Sequence, residues 1–425
     1  MKHLSRKLLC LLGGGLFGIA IFQAVAPSAA DASFQSFAIT TGPAFRPLKT
    51  NDQYASLQWA YLNDGTFERQ VVMNYLQLTE EALLDHRLAE PAAGDGPASR
   101  AYLTIESQPN IDLNLESAWQ LYDETENKRE VVVALIDSGV DITHPDLMDS
   151  FWINSGEIAG DGIDNDNNGY VDDVYGWNFI DNTAVIHDSS LSNEENHGTH
   201  GAGTIAASRG NEIGIAGIND NQYVKLMVLK TVNGTRGIGS YKAIVAAIQY
   251  AEANGADICN LSLGTYTDYP EIQEAIAQSK MLFVAACGNG DSYYNIGYDI
   301  DVSPVYPASY PQDNIISVAS LNFDGNLSNS SNYGKNSVDL AAPGESILST
   351  LPNGRYGMMS GTSMAAPMVS GLAAMLYSSH PDWSLADVKT ALLSSVKPLD
   401  SLQDKVLTGG IPDATAAMQW EKSTS

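Results

Sequence analysis

The chain has 425 residues, of which 50 are acidic and 22 are basic, and its formal net charge at pH 7 is −28. This charge argues against nucleic acids and anionic membrane surfaces as partners, because both repel an acidic protein. Acidic surfaces are typical instead of soluble, salt-tolerant or cation-binding proteins.

The first 30 residues have the pattern of a signal peptide. Three basic residues (Lys2, Arg6 and Lys7) precede an apolar stretch at 8–25, and small residues follow at 28–32. This order of basic, apolar and small residues is that of a cleaved export signal, so we predict a secreted protein. The alternative is an uncleaved membrane anchor, since an apolar stretch of about 18 residues just spans a bilayer.

The first strong strand pattern lies at 131–136, where six aliphatic residues are followed by Asp137. The run has no polar face, which predicts a buried parallel strand covered by helices on both sides. Asp137 then lies at the carboxyl end of the strand. Open α/β sheets place their functional sites at this end.

The segment 161–173 alternates oxygen-bearing side chains around a glycine, the spacing of a calcium-binding loop. An EF-hand is excluded, because Tyr175 stands where the motif requires glutamate. The alternative is an exposed, turn-rich loop kept soluble by its acids. The predicted ligands of Ca²⁺ are Asp164, Asp166, Asn168, the carbonyl of Tyr170, and Asp172 or Asp173.

A histidine follows in a segment rich in small residues. His197 is flanked by Asn196 and Gly198, and the helix predicted to begin there is composed mainly of glycine, alanine and threonine. Small residues allow such a helix to pack closely against its neighbours. His200 lies one helical turn further on, and no catalytic role is assigned to it or to His144.

Beyond this helix the pattern alternates between strands and helices. Strands are predicted near 225–229, 256–263, 282–286, 315–320 and 338–341, and helices near 241–254, 271–279 and 363–378. A final helix is indicated by a capping box in Ser384 and Asp387. The alternation predicts an α/β fold with a doubly wound, mainly parallel sheet and helices on both faces.

Two further polar side chains stand at the ends of these elements. Asn289 follows the strand at 282–286 and offers a side-chain amide as a hydrogen-bond donor. Ser363 lies between small residues at the start of a long apolar helix. The unpaired N–H groups and the dipole of a helix N-terminus stabilise an oxyanion that forms beside such a serine.

These four segments, in the order Asp137, His197, Asn289 and Ser363, resemble the subtilisin-like serine proteases over about residues 111–417. The resemblance implies a subtilisin-like fold and an Asp, His, Ser triad. In it Asp137 orients His197, His197 is the general base, and Ser363 is the nucleophile that forms an acyl-enzyme. Asn289 would complete the oxyanion hole.

The resemblance also implies a substrate cleft, in which a peptide pairs with the backbone as an added strand. Its predicted residues are Gly237, Gly239, Ser262, Leu263, Gly264, Ala286 and Gly288. The floor of the primary pocket lies in the stretch after Asn289. Asp291, Asp299 and Asp301 in that stretch are either determinants of a basic preference or solvated loop acids.

The segment before residue 103 allows two interpretations. Asn51, Asp52 and Trp59 resemble the start of mature chains in some branches of the family. In that interpretation residues 31–48 are a short pro-region or N-terminal arm, and a peptidase domain spans 49–420 with an insertion at 65–102. In the other, residues 31–97 form a prosegment that ends in a flexible linker at 90–99.

Two cysteines remain after Cys10 leaves with the signal. Cys259 and Cys287 lie in strands that the family places side by side, so a disulfide is conceivable. Buried strands usually hold free thiols as small hydrophobic side chains, and we therefore favour the reduced form.

The sequence as a whole predicts a secreted, monomeric, calcium-stabilised serine endopeptidase that acts on proteins or peptides. No organic cofactor is expected, and no stable membrane association once the signal is removed. Its role is either broad degradation or selective maturation of secreted precursors. A catalytically silent binding scaffold is the alternative of a different class.

Overall fold

The structure is a computed structural model that describes residues 48–67, 106–191, 195–233, 238–291 and 294–422. The predicted signal peptide, most of the pro-region and most of the predicted insertion lie outside these residues. Within the described ranges, no helix is long and apolar enough to cross a membrane.

Seven α-helices lie in the described part of the chain: α1 (Leu115–Glu124), α2 (Asn196–Ala206), α3 (Tyr241–Ala253), α4 (Pro270–Gln278), α5 (Thr362–Ser379), α6 (Leu385–Ser394) and α7 (Ala414–Met418). The strands are β1 (Val131–Asp137), β2 (Gly176–Asn178), β3 (Val224–Lys230), β4 (Val232–Asn233), β5 (Ile238–Gly239), β6 (Ile258–Leu261), β7 (Leu282–Ala286), β8 (Ile315–Leu321), β9 (Leu340–Pro343), β10 (Ile347–Leu351), β11 (Arg355–Met359), β12 (Val396–Pro398) and β13 (Gly410–Pro412).

The core of the fold is a parallel sheet with the strand order β2-β3-β1-β6-β7-β8-β9. Every residue of β1 is buried, as its unbroken aliphatic sequence predicts. Helices α2 and α5 pack against the sheet and against each other. The predicted α/β fold with a mainly parallel, doubly wound sheet is therefore confirmed.

The central strand β1 pairs with β3 on one side and with β6 on the other. The last pair in its register with β3 joins Asp137 to Lys230. Asp137 therefore lies at the carboxyl edge of the sheet, where the sequence predicts the site. Cys259 on β6 and Cys287 just after β7 are both buried and free, the state that the sequence favours.

The prediction for the C-terminal part needs one correction. The capping box of α6 is present, because the Ser384 hydroxyl accepts from the Asp387 N–H (3.2 Å) and the Asp387 carboxylate accepts from the Ser384 N–H (2.8 Å). However, α6 is not the final helix, since α7 follows it. The sequence also missed the antiparallel pairs β4–β5, β10–β11 and β12–β13, whose two to five residues are too short for a periodic pattern.

Residues 48–67 pack against the body of the domain. The Gln58 side chain donates to the Ala216 carbonyl oxygen (2.8 Å) and accepts from the Ala216 N–H (2.9 Å). The Trp59 indole N–H donates to the carbonyl oxygen of Glu345 at 3.0 Å, and its ring packs edge-on against Phe323. This segment is therefore part of the hydrophobic core.

Candidate active site

Asp137 and His197 form a buried pair at the carboxyl edge of the sheet. The imidazole Nδ1 lies 2.8 and 2.9 Å from the two carboxylate oxygens of Asp137. A carboxylate only accepts, so Nδ1 carries the proton and Nε2 keeps its lone pair. The side chain of His197 is therefore held in the tautomer that a general base requires.

The small residues around His197 have a direct structural reason. A Cβ atom on Gly198 would lie 2.2 Å from the carbonyl oxygen of Gly139, closer than any side chain tolerates. The Gly198 N–H in turn donates to the hydroxyl of Ser138 at 3.0 Å. Glycine at position 198 thus lets the start of α2 approach the end of β1, which brings Asp137 and His197 together.

Ser363 is the second residue of α5 and is buried. Its hydroxyl donates to the carbonyl oxygen of Ser262 at 3.1 Å, while the Ser262 hydroxyl donates to the Ser363 carbonyl oxygen at 2.9 Å. Helices α2 and α5 pack against each other, and a Cβ on Gly201 would lie 3.6 Å from the Pro367 ring. Ser363 thus lies beside Ser262, just after β6, on a helix that packs against the helix with His197.

The Nε2 atom of His197 is buried and has no hydrogen-bond partner among the described residues. Buried polar atoms are nearly always bonded, so an unpaired one marks a position that another group is meant to occupy. Because Nδ1 is bonded to Asp137, Nε2 is the ring nitrogen of His197 that can exchange a proton with another group.

Asn289 lies next to the start of α5. Its side-chain carbonyl accepts from the Thr362 N–H, so the amide nitrogen Nδ2 points away from that N–H. A Cβ on Gly361 would lie 2.9 Å from Nδ2, and Gly361 has φ +144°, a value that favours glycine. The Asn289 amide therefore lies against the residues that precede Ser363.

Two of the predicted cleft residues contact the start of α5. Ser262 contacts Ser363 directly, and the backbone N–H of Gly288 donates to the Thr362 hydroxyl at 3.2 Å. Gly239 pairs with Val232, and a Cβ there would lie 2.3 Å from the Val232 side chain. The remaining described members are buried: Leu263, Gly264 and Ala286. Gly237 lies outside the described residues.

The acids after Asn289 organise their own loops. The Asp301 carboxylate accepts from the backbone N–H groups of Asn336 (3.0 Å) and Ser337 (2.8 Å), and Asp299 accepts from the Asp301 N–H. Asp291 accepts from the N–H of Tyr294. These contacts agree with the interpretation of the three acids as loop acids.

The acidic loop brings three carboxylates together. Ligand atoms of Glu157, Asp164 and Asp166 all lie within 4.8 Å of one another. Asp164 and Asp166 are among the residues predicted to bind calcium. Glu157 was missed, because it precedes the alternating segment and has no spacing signal of its own.

The other predicted ligands lie outside this group of three carboxylates. Asp172 accepts from the N–H groups of Gly160 and Gly162, and buried Asp173 accepts from Asn154 and from the Tyr250 hydroxyl. These two carboxylates hold the loop in shape. Their role as ligands stays a prediction.

Asn168 and Tyr170 also stabilise the loop. The Asn168 side-chain amide donates to Asp166 (3.1 Å) and to Asp173 (2.9 Å). The Tyr170 ring packs edge-on against Trp177 and Tyr250. Tyr170 thereby attaches the loop that carries the exposed carboxylates to buried aromatic side chains.

Two other titratable groups near the site are structural. Burial lowers the pKa of His200 to about 4, and its Nε2–H donates to the Ile347 carbonyl oxygen at 2.8 Å. Burial raises the pKa of the Cys287 thiol to about 12, which keeps it protonated and unreactive. Neither group is suited to the proton transfers that the site requires.

Fold and site together define an α/β protein in which a buried aspartate–histidine pair lies at the carboxyl edge of a parallel sheet and a serine lies beside the end of a neighbouring strand. The model of the subtilase family matches residues 128–412, and the chain belongs to this family.

Three relatives illustrate the similarity. The chain is 35% identical over 303 residues to subtilisin-like protease 1 of Plasmodium berghei (strain Anka), an alignment that covers 68% of this chain and 49% of that protein. It is 37% identical over 281 residues to the major intracellular serine protease of Bacillus subtilis (strain 168), covering 64% and 77%. It is 35% identical over 274 residues to subtilisin of Bacillus pumilus, covering 64% and 85%. The chain thus spans about half the length of the first relative.

Proposed function

We propose that this chain is a serine endopeptidase that hydrolyses peptide bonds through Ser363, His197 and Asp137. The observation that carries the proposal is the buried imidazole of His197, which is bonded at Nδ1 to Asp137 and has no partner at Nε2 among the described residues, on a helix that packs against α5, whose second residue is Ser363. This arrangement leaves one lone pair for proton transfer.

The steps follow from this arrangement. When a peptide binds, the Ser363 hydroxyl turns from the Ser262 carbonyl to Nε2 of His197, which takes its proton as the oxygen attacks the peptide carbonyl. Asp137 stabilises the imidazolium that forms. His197 then gives the proton to the leaving amine, and a water attacks the acyl-enzyme by the same route.

The oxyanion of the tetrahedral intermediate would be stabilised by the Nδ2–H of Asn289 and by the N-terminus of α5. Support comes from the contact of Asn289 with Thr362, which fixes the orientation of the amide before substrate arrives. Donors that are already oriented cost no reorganisation during the reaction.

A structural Ca²⁺ is proposed at Glu157, Asp164 and Asp166. Three carboxylates in close proximity repel one another, and a hard divalent cation with oxygen ligands relieves this repulsion. Bound there, the ion would supply loop stability and take no part in the reaction. No organic cofactor is proposed.

Export and processing are also proposed. Residues 1–30 would be removed during secretion, leaving a monomer without stable membrane association. Residues 48–67 would stay in the mature enzyme, because their removal would expose the core that Trp59 and its neighbours cover.

The proposal is tested by incubating the purified protein with a proteome-derived peptide library in calcium, beside Ser363→Ala, and reading the cut sites by mass spectrometry. The nucleophile variant should lose about a millionfold in turnover. Many cuts with loose preference would indicate degradation, and few cuts that share a side chain would indicate maturation. Equal results for both proteins would overturn the proposal and favour the silent scaffold.

A further inference from the structure

Four charged side chains form a cluster close to the end of β1 and the start of α2: Asp141, His187, Glu195 and Lys230. Glu195 is fully buried, with one carboxylate oxygen 2.8 Å from the Lys230 ammonium and the other 2.5 Å from Nδ1 of His187. Nε2 of the same imidazole lies 3.3 Å from a carboxylate oxygen of Asp141. The predictions from sequence assigned no function to any of these residues.

The contacts of His187 define its charge. Both ring nitrogens face carboxylates, which only accept: Nδ1 is hydrogen-bonded to Glu195, and Nε2 lies at ion-pair distance from Asp141, so the doubly protonated ring matches both neighbours. The cluster then holds two negative and two positive charges. Without the second proton it would hold an unbalanced negative charge in a nearly buried position, which is costly.

The cluster joins the two elements that carry the catalytic pair. Glu195 is the residue before α2, and its backbone carbonyl accepts from the Thr199 N–H in the first turn of that helix. Asp141 follows β1, and its own N–H donates to the Thr199 hydroxyl at 3.0 Å. His187 therefore links the start of the helix with His197 to the segment after Asp137.

The packing against this link is close. A Cβ on Gly139, two residues after Asp137, would lie 3.0 Å from the Lys230 side chain and 3.4 Å from a carboxylate oxygen of Glu195. Lys230 is itself paired in register with Asp137 across β1 and β3. A movement of Glu195 or Lys230 would thus be transmitted to the catalytic pair.

We propose that His187 is a positioning residue whose imidazolium, together with Lys230, holds Glu195 and Asp141 and so fixes His197 relative to Asp137. Loss of the second proton of His187 releases one of the two carboxylates and lowers the reaction rate. The reaction rate should then fall at an alkaline limit set by His187. This inference rests on the proposed triad.

The groups that face His187 shift its pKa in the direction that an alkaline limit requires. The hydrogen bond to Glu195 and the charges of Glu195 and Asp141 raise the pKa of His187 above 6.5, against burial and the charge of Lys230, which lower it. The ordering contribution of His187 is therefore complete below pH 6.5 and is lost as the pH rises through its raised pKa.

The test measures the rate at which a fluorophosphonate, which reacts with an activated serine, labels the enzyme between pH 5 and pH 10. The wild type should show the alkaline limit. His187→Gln should label more slowly at neutral pH, by about tenfold to a hundredfold, the loss usual for outer partners that hold metal-bound histidines in place, and should lack the alkaline limit. His187→Lys, which keeps a positive charge, should recover part of the rate and move that limit upward.

Three controls make the outcome decisive. His380→Gln changes a half-buried histidine at the far end of α5 and should leave the alkaline limit unchanged. Ser363→Ala should not be labelled, and labelling of this variant would refute the proposed nucleophile rather than the role of His187. Equal rates and equal alkaline limits in His187→Gln and wild type would overturn the inference.

A wild-type measurement covers the case in which His187→Gln does not fold. Proton NMR follows the imidazole resonances with pH, and the resonance missing from His187→Lys identifies His187. Its pKa should coincide with the alkaline limit of the labelling rate. A wild type without an alkaline limit, or with one that differs from the pKa of His187 by more than about one pH unit, would also overturn the inference.

Discussion

The side-chain carbonyl of Asn289 accepts two hydrogen bonds from Thr362, one from its backbone N–H at 3.1 Å and one from its hydroxyl at 3.2 Å. Thr362 is the residue before Ser363, so the amide and the nucleophile are held by adjacent residues. The orientation of the amide is thus determined by the same helix start that presents the serine.

Asn289→Ala should lower kcat by about a hundredfold to a thousandfold, the usual cost of losing one oxyanion donor, with little change in KM. Thr362→Val removes only one of the two hydrogen bonds and should have a smaller effect in the same direction. Steady-state kinetics on a peptide substrate check both. A loss below about tenfold in Asn289→Ala would contradict the assignment of this donor.

Calcium should stabilise the protein through the loop that contains Glu157, Asp164 and Asp166. At 100 times its dissociation constant, an ion that binds only the folded form adds about 2.7 kcal/mol to the free energy of unfolding. Glu157→Gln should lose most of this increment. The measurement is thermal unfolding of each protein in calcium and in chelator, so that any direct effect of the substitution on stability cancels.

A matched control lies in the same loop. Asp161 is exposed, and its carboxylate accepts from the Ile163 N–H rather than joining the three-carboxylate group. Asp161→Asn should therefore keep the full difference between calcium and chelator. An equal loss of that difference in both variants would point to a general effect of loop charge and against a specific site.

Acid should destabilise the protein through His200. Burial lowers its pKa from 6.5 to about 4, so the folded state resists the proton that the unfolded chain accepts. Its contribution to stability is complete above pH 6.5 and is lost as the pH falls toward 4, by about 1.4 kcal/mol for each pH unit. His200→Gln, which can still donate to Ile347, should show a flatter dependence of unfolding free energy on pH in this range. An unchanged slope would contradict the prediction.

The sequence predicted those parts of the site that stand next to regular structure. Asp137 ends an aliphatic strand, Asn289 follows another, and Ser363 lies in the first turn of a helix, so periodic patterns locate all three. Glu157 and the pair of His187 and Glu195 lie in irregular segments. Their contacts depend on how segments of irregular structure pack in the folded chain. The spacing of residues in the sequence does not predict such packing.

The same distinction applies to the N-terminal segment. Residues 51–59 resemble a mature N-terminus, yet only packing relates them to the rest of the chain. Gln58 and Trp59 bond to backbone groups of Ala216 and Glu345, more than 150 residues away. Such contacts have no periodic signal, because single side chains rather than a helix or strand face make them.

Trp59→Ala should destabilise the domain by about 3–5 kcal/mol, because it removes a buried indole that packs against Phe323 and leaves the Glu345 carbonyl without its donor. Denaturant unfolding measures the change. Val302→Ala, at a side chain that is 78% exposed, is the control and should stay within about 0.5 kcal/mol of wild type.

The packing of Trp59 also predicts the composition of the mature enzyme. Mass spectrometry of the secreted, active enzyme should find residues 48–67 in it. An active enzyme that begins near Ala98, with no bound fragment containing Trp59, would show that these residues belong to a removable prosegment.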